Sequence, residues 1–364
     1  MAKSNLIRNR VVPIVVVAVA ACGLGQAAVS YAATAPSPQI ALPQGFSARL
    51  IASAPAGSRG SDDIARLGDH LFIGYQNGIG TKGEPAPDGS TKGTLVEYTL
   101  AGKQVGSWKL TGKIDGLGAD PDHQRVVATV NEDGNSSLYT LTAGRHGQSK
   151  VAHYTYGPQP LPHGGGTDSV VVHGGALYIA ASAPAADADG TTYSKPALLR
   201  ITLSGHVATW KAVFSDNAAA KDAVTGKATK LNLSDPDSSE TVPGSVQRFG
   251  GDLLLDSQGD KQLVFLKGLG GARAKSQATV LNVPTQVDDT AFAPKAHTTL
   301  YVVDSDSGKL YAISGPFKAG QAFVSVPKDS TSLVKTLGLL NLKTGSISPF
   351  GTGFANPKGL LFVS

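Results

Sequence analysis

Four aspartates recur at one register along this chain. Asp62 in "SDDIARL", Asp115 in "IDGLGAD" and Asp168 in "TDSVVVH" lie 53 residues apart, and "VDDTAFA" repeats the arrangement at Asp288. In two of the motifs the acid is doubled, which adds Asp63 and Asp289. If such carboxylates meet, they repel one another unless something compensates. Two kinds of chemistry would do so. Each could accept backbone N–H groups of a neighbouring unit and clasp the units together. Or the group could hold a hard cation, Ca²⁺ or another divalent ion, which prefers oxygen ligands. The ligands would then be Asp63, Asp115, Asp168 and Asp289. The clasp is the simpler account, because a binding site does not require every unit to carry the same group.

Further carboxylates stand where second strands should end: Asn131-Glu132-Asp133, Asp256 and Asp304. They extend the cation reading, or they cap tight turns, as Asx side chains commonly do. "DADG" (187–190) and "DPDSSE" (235–240) alternate acids as calcium loops do, but neither continues into a twelve-residue loop, and both read as solvated hairpin tips. "GIGTKG" (78–83) has dinucleotide-loop spacing without the helix that must follow it. "HGGG" (163–166) is an oxyanion-loop motif, yet no G-x-S-x-G elbow exists to accompany it. The eight histidines include no H-x-x-x-H pair for zinc. Glu132 and His163 are the candidates for a general base near the aspartates; for His163 the simpler reading is a surface-loop residue.

The elements that must position these groups are strands. "HLFIGYQ", "TLVEYTL", "QRVVATV", "ALYIAAS", "ALLRITL", "DLLLDS", "QLVFL" and "TLYVVD" are short, rich in β-branched and aromatic residues, and separated by Gly, Asp, Asn, Ser or Pro. One short helix is expected, in "DNAAAKDAV" (216–224). The aspartate motifs open repeating units, and Pro243 in "VPGSVQR" and Pro357 in "NPKGLLF" take the same place in two more. Six units of four antiparallel strands predict an all-β chain folded as a β-propeller of six blades, with spacing loose enough for a seventh. The Asp288 unit should run on through "TLYVVD", "KLYAI" and "QAFVSV". The last blade should be built from both chain ends, from "LGLLNLKTG", "SISPFGTG" and "PKGLLFV" with the N-terminal "GFSARLIAS" (45–53), which closes the ring. In a propeller the first strand of each blade lines the central channel. Residues at equal register then form a ring.

The N-terminus addresses the chain. A basic start with Lys3, Arg8 and Arg10 is followed by "VVPIVVVAVAACGLG" and by small residues up to Ser30-Tyr31-Ala32, the pattern of a secretory signal over 1–32. The apolar run is shorter than the ~20 residues of a spanning helix. Ala/Pro-rich residues 33–45 read as a linker, and 46–364 as the propeller. The single Cys22 sits in a lipobox-like "VAAC", so a lipidated anchor is the alternative to free secretion, and a membrane is met only through that anchor or an uncleaved leader. Cleavage after Ala32 leaves no cysteine, hence no disulfide framework or thiolate site. The net charge of +5 is spread thinly with no run of five basic residues, which speaks against nucleic acid as a partner.

Openings such as "NPKGLLF" and the stretch "LYVVDSDSGKLYAI" resemble six-bladed propellers of the NHL and gluconolactonase-like kind, over most of residues 45–364. The resemblance implies a propeller, and for an enzyme a divalent cation in the channel that polarises a lactone carbonyl or assists an elimination. Three functions follow as expectations. The first is an exported, monomeric binding module for a protein, glycan or small molecule. The second is a metal-assisted lactonase- or lyase-like enzyme, and the third a structural part of the cell envelope.

Overall fold

A computed structural model describes residues 39–142, 149–269 and 277–364. The expected leader, Cys22 and the first part of the linker lie outside the described residues. Strand β1 (Ser47–Ser53) comes first. One antiparallel sheet follows from β2 (Ser61–Leu67), β3 (His70–Tyr75), β4 (Lys92–Thr99) and β5 (Gln104–Thr111). The next four are β6 (Ile114–Asp120), β7 (Arg125–Val130), β8 (Ser137–Thr142) and β9 (Lys150–Gly157). Then come β10 (Val170–His173), β11 (Ala176–Ala180), β12 (Pro196–Ser204) and β13 (Val207–Ser215). These two sets join edge to edge through a short parallel pairing of β9 with β13, giving an eight-stranded sheet.

A hairpin of β14 (Ala219–Asp222) and β15 (Ala228–Lys230) stands where a helix was expected. The segment has no apolar stripe of helical period. β14 instead pairs in parallel with β19, and Asp222 ties the following turn by accepting the N–H groups of Val224 and Thr225. The fourth set is β16 (Pro236–Thr241), β17 (Leu253–Ser257), β18 (Gln262–Lys267) and β19 (Gln277–Asn282). Its inner strand is therefore "PDSSET". The expected start at Pro243 lies beyond it, and "DPDSSE" is no hairpin tip. This strand carries Ser239 where β2, β6, β10 and β26 carry Ile64, Leu117, Val170 and Leu360, and Glu240 next to it, so its pattern reads as a loop.

The remaining strands are β20 (Asp289–Phe292), β21 (Thr299–Asp304), β22 (Lys309–Ser314), β23 (Ala322–Val326), β24 (Thr336–Leu340), β25 (Ile347–Gly351) and β26 (Pro357–Val363). They interlace. β20 pairs with β23, and the sheet continues to β24 and β25. β21 and β22 belong to another sheet, between β26 on one side and β1 on the other. The expectation that "TLYVVD" and "KLYAI" continue the Asp288 unit is thus corrected, as is the assignment of 336–351 to the closing sheet. Those strands are alike in length and pattern, and only pairing distinguishes them. The expectation that both chain ends meet in one sheet holds, through β1 and β26.

The first strands of the six sets neighbour one another in the order β2, β6, β10, β16, β20, β26 and back to β2. The apolar residues form six clusters, each between two neighbouring sets. A single sheet cannot bury both of its faces, whereas sheets stacked side by side around an axis do. Where the interlaced sets meet, Phe46 packs edge-on against Phe317 and Phe350 at 5.0 and 4.8 Å and pins the segment leading into β1.

Candidate functional site

The beginnings of the inner strands surround a cavity of about 420 Å³. One ring position is occupied in turn by Asp62, Asp115, Asp168, Asp237, Asp288 and Lys358, all of which line it. The next residue along is Asp63, Gly116, Ser169, Ser238, Asp289 or Gly359. This second level does the clasping. Asp63 accepts the N–H of Ile64 at 2.6 Å and reaches the next strand's Leu117 N–H at 2.7 Å. Asp289 does the same with Thr290 and Leu360, at 2.6 and 2.7 Å. Ser169 donates to the carbonyl of Asp237 at 2.5 Å and lies 2.8 Å from Ser239 Oγ. Clasps thus leave alternate strands. The intervening Gly116 and Gly359 sit so close to the neighbouring inner strand that a Cβ would come within 2.5 Å of the Asp168 carbonyl and 2.7 Å of the Asp62 carbonyl.

At the first level the compensation comes from lysines. Lys358 lies between its two ring neighbours, 2.7 Å from Asp62 and 3.0 Å from Asp288. Lys113 bridges Asp115, at 2.8 Å, and Glu132. Burial works against both ammonium groups, but the flanking carboxylates outweigh it and hold each above the ordinary lysine range. Gln76 and the Glu132 N–H also donate to Asp115, and Gln258 donates to Asp288.

Asp168 and Asp237 are treated differently. Neighbours at the same level, their carboxyls repel each other with no cation between them. Burial, and then their mutual repulsion, pushes the Asp168 carboxyl well up. Glu240, three residues further along β16, is pushed up to about 8 by burial and by Asp289. Among the described residues no N–H, hydroxyl or ammonium donates to the carboxyls of Asp168 and Asp237, and no ammonium meets Glu240.

The four expected metal ligands line this one cavity, but on two levels and with different partners. Asp63 and Asp289 spend their oxygens on amides, Asp115 meets Lys113, and Asp168 faces Asp237. Among the described residues no group of three or more His, Cys, Asp or Glu side chains is placed to hold a metal ion. The donor set thus does not fit a divalent cation. Asp304 is turn chemistry, accepting Asn356 N–H at 2.6 Å and Ser307 Oγ–H at 2.7 Å. His163 is no surface residue: it is fully buried, its Nε2 donates to the Gly166 carbonyl at 2.6 Å, and it does not line the cavity. The glycines of "HGGG" are explained by packing, since a Cβ on Gly165 or Gly166 would fall about 2 Å from the carbonyl of Ala183 or Glu132. The sequence gives Lys113 and Lys358 no role, and it places Asp237 and Glu240 in a hairpin tip within "DPDSSE" rather than in the ring. The signal that would have found two of them is the register itself, with Asp237 and Lys358 standing second in "PDSSET" and "PKGLLF" as Asp62 does in "SDDIARL".

No protein-family model and no curated protein matches the chain. Among solved structures it is similar to a protein from Lactobacillus plantarum, with 13% identity over 84% of this chain and 89% of that one and a TM-score of 0.45. It is similar to a putative gluconolactonase, with 10% identity, 87% and 84% covered and a TM-score of 0.43. The periplasmic gluconolactonase of Pseudomonas aeruginosa gives 12%, 83% and 88% covered, and 0.42. At these scores the likenesses say nothing of what this chain does.

Proposed function

We propose that the chain is an exported six-bladed β-propeller, residues 46–364, that acts as a binding module for a small molecule. Residues 1–32 are its export signal and 33–45 the linker that follows. The observation that carries this reading is the ring: five aspartates and one lysine at equal register around a cavity of about 420 Å³. That volume suits a small ligand, and convergent polar groups in a concavity are what orients one. A concave cavity of this size favours a small molecule over a broad protein or glycan surface. A metal-assisted lactonase or lyase is favoured by none of the contacts described.

Thermal unfolding against a set of polar metabolites tests the reading. A ligand that binds only the folded form raises Tm by mass action. Ser238→Trp, which fills the cavity from β16, should abolish the rise. If no compound shifts Tm, or the shift survives this variant, the cavity is not the binding site.

A further inference from the structure

The ring is compensated on one side only. Lys358 serves Asp62 and Asp288, and Lys113 serves Asp115 and Glu132. The side made by β10 and β16 has three carboxyls, Asp168, Asp237 and Glu240, and no cation among the described residues. Asp168 is 8% exposed, lines the cavity, and accepts no hydrogen bond from any N–H or ammonium. A buried, unpaired carboxyl facing a cavity is costly unless a partner arrives.

We propose that Asp168, Asp237 and Glu240 bind the primary ammonium of a small aliphatic amine. The inference rests on reading the cavity as the ligand site. The molecule itself shows twice how the group would sit, since Lys358 places one ammonium between two carboxyls of this ring and Lys113 places one between a ring carboxyl and Glu132. An ammonium carries three donors on a compact head and can serve separate carboxyls, whereas a planar guanidinium fork matches one carboxylate bidentately.

The test compares 1-aminopentane with 1-pentanol, its neutral analogue, by calorimetry and thermal unfolding of the purified protein. The amine should bind and raise Tm, and the alcohol should not. The double variant Asp168→Asn, Asp237→Asn should weaken amine binding tenfold or more while unfolding no earlier than the parent. Should that variant fail to fold, Glu240→Gln gives the same comparison with a smaller loss. The inference is overturned if the amine does not bind, binds no better than the alcohol, or binds the variants as tightly as the parent. If neutral compounds bind and Ser238→Trp excludes them while the amine fails, the ammonium site falls and the binding cavity stands. An amine that binds Ser238→Trp as well as the parent sinks both.

Discussion

From β20 through β26 and β2 to β6, every carboxyl of the inner ring meets a donor, whether a lysine, a glutamine or a backbone amide. From β10 to β16 the same ring position carries the same residue type, and the two acids meet only each other. The backbone geometry is shared and so is the burial. The difference lies in which side chains stand nearby: Lys113 and Lys358 on one side, Ser169, Ser238 and Ser239 on the other. The same acidic residue is therefore a structural partner in one arc and an unsatisfied acceptor in the other. A charge-lined channel should be judged arc by arc.

The comparison is broken most severely at Lys358. Lys358→Met leaves Asp62 and Asp288 facing each other without a cation, and should cost about 3–5 kcal/mol, as removing one partner of a buried pair does. Urea unfolding measures it, and a loss under about 1 kcal/mol would mean that the compensated arc does not depend on its lysine. Next come the clasps. Asp63→Ala strands the Leu117 N–H, for an expected loss of about 1–3 kcal/mol in the same assay, and Asp63→Asn, which keeps one acceptor, should lose less.

The uncompensated arc should respond with the opposite sign. Asp237→Asn removes a like-charge contact with Asp168 and should leave stability unchanged or raise it by about 1 kcal/mol. A marked loss would show that the acid pair holds the sheets together. The smallest expected effect is on pH dependence. Asp289 is pushed up to about 7 by burial, and Glu240 and Asp216 to about 8 by the same cause. Asp216 is fully buried, and neither of its oxygens has a hydrogen-bond partner. An acid whose folded pKa lies above its unfolded one holds its proton more tightly when folded. Its contribution is full below the unfolded value, near 4, and is lost as pH rises through the folded one. Tm should therefore decline from about pH 5 to about pH 8, and Asp216→Asn should flatten the decline. A Tm that climbs over this interval would contradict the burial that raises these groups.

Much of the architecture was legible. The Asp62, Asp115 and Asp168 units repeat at equal spacing because each repeats one structural job, and the strands after them follow the two-residue period of half-buried sheets. That the strand near the N-terminus and "PKGLLFV" share a sheet is legible as well. The interlacing of β20–β25 was illegible, since "TLYVVD" and "QAFVSV" present the same apolar edge to any partner. β16 was missed because its function displaced its pattern. An inner strand that turns Asp237 and Glu240 toward a cavity loses the apolar residues by which a strand is found.

The chain's own order of residues was enough to specify a repeating all-β architecture and to place aspartates at one position in four of the repeats. Those properties are local, arising from turn chemistry, side-chain alternation and spacing. Which carboxylates would be neutralised was decided only by the closed ring. Lys358 reaches Asp62 and Asp288 across sequence separations of roughly 300 and 70 residues, and no local rule links them. Coulomb interaction between buried charges acts over a few ångströms, so it is set by distance in space, and that distance exists only once the last inner strand has settled between the first and the fifth.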